Sequence, residues 1–164
     1  MRKSFIPVLA VIFAVVLGGV AMAGNTANQT VSFEVSAINE LSVSGNPAAL
    51  VIDSATAGSQ PTFATDDSTT YAVTTNEEGR KITGAIDSAM PSGVTLKIAL
   101  VAPTDGTSAG SVALGVDAVD LVTGISQLAA SGKLITYRLD ASAAAGVIES
   151  DTRTVTLTLT AGVS

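Results

Sequence analysis

The sequence predicts an all-β fold: an antiparallel β-sandwich, Ig-like or jelly-roll-like with Greek-key connections, behind a cleaved signal peptide. Three observations lead there. Val, Thr, Ser, Ala and Gly dominate a 164-residue chain of which only 13% is charged. Val and Thr, branched at Cβ, suit a pleated surface better than a helix. Apolar residues recur at every second position in segment after segment, and turn-forming Gly, Pro, Asn and Asp fall between the segments, as in a sandwich.

The first residues stand outside that fold. Arg2 and Lys3 are followed by an apolar run from Phe5 to Val20 and by the small-x-small box Ala21-Met22-Ala23. This is the layout of a secretory signal peptide, residues 1–23, cut after Ala23. As a permanent span the run is short of the ~20 apolar residues that a bilayer needs, and it ends in Gly18-Gly19. No Cys follows the box, which argues against a lipoprotein. Cleavage removes two positive charges and no negative one, so the mature chain is more acidic than the −6 of the whole sequence.

The mature chain then reads as strands in order. Val31, Phe33, Val35 and Ala37 alternate with Ser32, Glu34 and Ser36, and Leu41 and Val43 continue the same face. Ala49 to Ile52 is a continuous apolar run, expected to be a strand buried on both faces. Residues 54–68 are polar and are expected to form a long loop. Tyr71 and Val73 alternate within Thr-Thr-Tyr-Ala-Val-Thr-Thr, and Ile82, Gly84 and Ile86 follow the turn Asn76-Glu77-Glu78-Gly79. Val94, Leu96, Ile98 and Leu100 form the next strand, and Val112, Leu114 and Val116 another. Val119, Val122, Ile125 and Leu128 recur every third residue, which predicts a turn or short helix weakened by Gly124. Ser131-Gly132 reads as a turn. Ile135, Tyr137 and Leu139 make a strand, Ala-rich residues 141–146 a strand end plus turn. Val155, Leu157 and Leu159 alternate with threonines in a last strand, expected to be central or well paired.

The chemistry is defined by what is missing. With no His, Cys or Trp, a zinc finger, a thiol nucleophile and a Ser-His-Asp relay are excluded. The acidic balance leaves no footprint for nucleic acid. The pairs Asp66-Asp67 and Glu77-Glu78 invite a glycosidase reading, but both are expected in solvated turns. Of the aromatic residues after the signal, Phe33, Phe63, Tyr71 and Tyr137, the first and last fall on predicted core faces, leaving little platform for a sugar. Asp117, Asp120, Asn76, Glu77 and Glu78 match no calcium-loop spacing. Ser131 and Lys133 are one of many Ser/Lys pairs that nothing distinguishes. No catalytic, cofactor-binding or metal-binding residue is therefore expected, and the chain is read as not an enzyme.

What the sequence offers instead is an arm. Cleavage frees residues 24–38, a polar leader running into an alternating strand, ahead of a domain over 39–164. An exposed strand of this kind invites pairing with another chain. The layout resembles fibre-forming β-sandwich subunits that polymerise by donor-strand exchange: the spore-coat-U-type pilins and the matrix fibre proteins of the TasA/camelysin kind. The features that carry the resemblance are Asn-Gln-Thr-Val-Ser-Phe-Glu-Val-Ser-Ala-Ile behind the cleavage box, Ala-Ala-Leu-Val-Ile after a Gly/Pro turn, and the terminal Thr-Arg-Thr-Val-Thr-Leu-Thr-Leu-Thr. The resemblance implies a secreted or cell-surface structural subunit forming a head-to-tail homopolymer, without cofactor and with no membrane association after cleavage. Val31, Phe33, Val35 and Ala37 would be its assembly strand. The competing expectation is a monomeric secreted adhesin or binding module whose first strand folds into its own sheet.

Overall fold

The structure, a computed structural model, describes residues 25–162; the expected signal peptide lies outside them. The chain divides into two units, Met1–Glu34 and Val35–Ser164. In the first, residues 25–34 carry neither helix nor strand. The second is nearly all β, and every strand pairing in it is antiparallel.

Nine strands are present among the described residues: β1 (Asn39–Val43), β2 (Ala64–Thr75), β3 (Arg80–Ile86), β4 (Val94–Leu100), β5 (Thr107–Ser108), β6 (Val112–Ala113), β7 (Val119–Ile125), β8 (Leu128–Ala141) and β9 (Val155–Ala161). One sheet has the order β1-β2-β8-β4-β6 and the other β5-β7-β3-β9. From β2 onward each successive strand belongs to the opposite sheet. The alternation seen in the sequence is what makes this work: each strand turns one row of side chains to a shared interior. Leu96, Ile98 and Leu100 of β4, Tyr71 and Val73 of β2, and Ile135 and Tyr137 of β8 form one buried cluster with Ile82, Ile86, Leu121, Val122 and Ile125 of the second sheet.

Two close fits mark that interior. Gly84 sits on the core face of β3, where an added Cβ would lie 2.7 Å from Leu121 Cδ1 and 3.3 Å from Leu114 Cδ2. Tyr71 is 1% exposed, and its hydroxyl donates to the Val101 carbonyl at 2.7 Å. Burial disfavours the phenolate and pushes this tyrosine up to about 12. Outside the core, Asp140 accepts from Arg138 at 2.7 Å and pairs with Lys97 at 3.1 Å. These cations hold its carboxyl below the usual range.

Several expectations are corrected. Residues 119–125 are strand, not helix. The register against β3 slips twice, so that Ile82 faces Val122 and Arg80 faces Ile125. Each bulge inserts one residue into a two-residue repeat, and the resulting spacing of three imitates a helix. Ser131-Gly132 is no turn: β8 runs through it, with Gly132 at φ 62 beside a register shift against β2. Ala49 to Ile52 forms no strand, because no neighbour pairs with it; Leu50 packs on the core while Val51 is 65% exposed. The loop over 54–68 ends early, since β2 begins at Ala64. Of the strand expected over 112–116 only Val112–Ala113 is strand, although the Leu114 N–H still donates to the Leu96 carbonyl at 2.9 Å. Finally, β9 is well paired but not central: it pairs with β3 along its full length and, among the described residues, lies at the end of its sheet.

Candidate functional site

The expected assembly residues are exposed and belong to no helix or strand. Val31 is 76%, Phe33 92% and Val35 78% exposed, and Ala37 is exposed as well. Thr30 to Ala37 are not in a sheet of their own chain. An isolated exposed apolar residue is ordinary. Three bulky ones at every second position of one segment would form a single row on a pleated surface.

The segment has a defined root. Asn76, at the end of β2, accepts from the Ile38 N–H through Oδ1 at 2.8 Å. Its Nδ2 donates to the Ser36 carbonyl at 2.8 Å, and its own N–H donates to the Ile38 carbonyl at 3.2 Å. The amide side chain thus prolongs the β1–β2 ladder by one step beyond the last backbone pair, Asn39 with Thr75. Around it Thr75 donates to Asn39 Oδ1 at 2.8 Å, while Glu77 accepts from Asn39 Nδ2 and pairs with Arg80. A shallow depression of about 400 Å³ lies beside this root, lined by Ile38, Asn76, Gln127 and Leu128. Asn76 and Glu77, weighed from sequence as oxygen donors to calcium, are here occupied in holding the root. The sequence contained no signal for that role.

The other candidates are not brought together. Asp120 pairs with Lys81 at 2.8 Å. Asp66 and Asp67 lie in β2 rather than a turn, and Asp66 accepts from the Ser68 hydroxyl at 2.8 Å. The register against β8 slips between Asp66 and Thr69. Ser131 and Lys133 lie in β8 on either side of Gly132. Among the described residues no cluster of three or more acidic side chains is placed to hold a metal ion. No helix among them is long and apolar enough to cross a membrane.

A second depression, of about 410 Å³, is lined by Gln60, Phe63, Arg138 and Asp140. The Arg138 guanidinium lies 3.8 Å above the Phe63 ring centroid and also bonds Asp140. Its charge is already met on two sides, which leaves it poorly placed to recognise an anion. No protein-family model matches the chain, and no curated protein and no solved structure matches it either.

Proposed function

We propose that this chain is a structural subunit of an extracellular filament, pilus or matrix fibre, assembled by donating its N-terminal strand to another copy. In this reading residues 1–23 are the signal peptide that exports it. The two sheets form a β-sandwich, and the passage of successive strands between sheets favours the jelly-roll over the Ig-like alternative. The observation that carries the proposal is the row Val31, Phe33 and Val35, at every second position and more than three-quarters exposed. Leaving such a row in water forfeits roughly 1.5–3 kcal/mol per large side chain. An intermolecular strand pairing recovers it together with the main-chain hydrogen bonds. Because donor and acceptor surfaces differ, the contact repeats head to tail and yields an open polymer.

The test is the mature protein beside a version lacking residues 24–35, which keeps the root at Ser36 and Ile38. Negative-stain microscopy and sedimentation should show filaments for the first. The second should remain folded, form none, and bind a synthetic peptide of residues 28–38. A mature protein that stays monomeric at high concentration, with residues 30–35 protected from hydrogen exchange, refutes the proposal and supports the monomeric adhesin instead.

A further inference from the structure

Four strands end the two sheets: β1, β6, β5 and β9. β5 and β6 have two residues each, too short to receive a donated strand. β1 has five and carries Glu40. β9 is different. It has seven residues, Val-Thr-Leu-Thr-Leu-Thr-Ala, with no charge, proline or glycine. It pairs with β3 along its full length without a bulge. Short length, charge, proline and bulges are the usual means by which sheet edges are kept from pairing, and β9 has none of them. Roughly half of its N–H and C=O groups point away from β3, as in any edge strand.

Its apolar side chains are partly covered. Val155, Leu157 and Leu159 pack on the core yet are only half-buried. They stand at every second position, as Val31, Phe33 and Val35 do. β9 also lies near β1, whose Leu41 is likewise only partly covered. The end strands of the two sheets thus border one seam over an incompletely covered part of the interior. At one end of β9 the chain is held in place, with Arg153 donating to the Ala89 carbonyl at 3.0 Å and pairing with Asp151 at 2.6 Å.

Resting on the strand-donation reading, we infer that β9 is the acceptor edge: residues 30–35 of one copy add to β9 of the next, with Phe33 opposite Leu157. Directly opposed residues share a face, so this alignment sets all three apolar donor residues against Val155, Leu157 and Leu159. It holds for either strand direction. Antiparallel pairing, the pattern of every other pair in the fold, places Val31 beside Leu159 and Val35 beside Val155. Ser32 then lies opposite Thr158 on the outer face. The partner in this reading is a second copy, and the root of the arm stays on its own chain, where the Ser36 carbonyl and Ile38 N–H are engaged by Asn76.

The chain has no cysteine, so introduced thiols report only on the contact being tested. Mature Ser32→Cys is mixed with a size-tagged Thr158→Cys or Thr156→Cys chain under mild oxidation. A Ser42→Cys chain probes β1 in the same way. The expected result is a disulfide heterodimer with Thr158→Cys as the main product, lost when Phe33→Asp is added to the donor. A heterodimer with Thr156→Cys instead keeps β9 as acceptor with parallel pairing. Filaments whose only heterodimer forms through Ser42→Cys overturn the assignment to β9 while leaving strand donation intact. Failure of the unmodified protein to polymerise, with no heterodimer in any mixture, overturns both.

Discussion

Truncating Phe33 to Ala separates assembly from folding in one substitution. The side chain is 92% exposed in its own chain, so its loss should leave the stability of the isolated subunit within about 0.5 kcal/mol, as for other surface changes. In a polymer the same ring would be buried between two sheets. Removing a packed Phe costs roughly 3–5 kcal/mol, which corresponds to a loss of subunit affinity of at least about 10²-fold. The assay compares two quantities on one preparation: the urea midpoint of the monomer, and the critical concentration for polymer measured by sedimentation. The midpoint should stay put while the critical concentration rises by two decades or more. A Phe33→Ala midpoint lowered by the amount expected of a core residue would show that the ring folds into its own domain. An unchanged critical concentration would show that it plays no part in assembly. Either result refutes the reasoning.

Three further outcomes follow from the geometry. Asn76→Ala removes two side-chain bonds to the arm, at about 0.5–1.5 kcal/mol each, and should accelerate hydrogen exchange at the Ile38 amide while the core amides of β3 and β4 keep their protection. Gly84→Ala drives a Cβ to 2.7 Å from Leu121 Cδ1, and overpacking of this kind should cost about 1–3 kcal/mol, read as a lower urea midpoint with unchanged slope. The buried Tyr71 keeps its proton up to about 12, whereas the unfolded chain releases it near 10. Its contribution to stability is therefore complete below pH 10 and lost as pH rises towards 12, by up to ~3 kcal/mol. Alkaline denaturation of Tyr71→Phe should be correspondingly shallower in that window.

The all-β character, most strand positions and the identity of the core were legible in the residues themselves. Period-two alternation is a local property, and Leu96, Ile98, Leu100, Ile135 and Tyr137 needed no partner to announce which way they face. The exposed row Val31, Phe33 and Val35 was visible as a row for the same reason. Whether a row is covered is not local, and its 92% exposure at Phe33 emerged only with the fold. Where the sequence misled, a neighbour had altered the count. Bulges forced by pairing with β3 turned the two-residue repeat of β7 into steps of three, and Gly132 passed for a turn because positive φ serves both a turn and a bulge. The run Ala49 to Ile52 had the composition of a strand but no partner to bond with. The hydrogen bonds of Asn76 to Ser36 and Ile38 span 40 and 38 positions in the chain, a separation that no local pattern encodes. The same holds for the open edge of β9. Its seven residues specify a strand, but an edge exists only when the order of the sheet is settled, and that order is a competition among all the strands for neighbours.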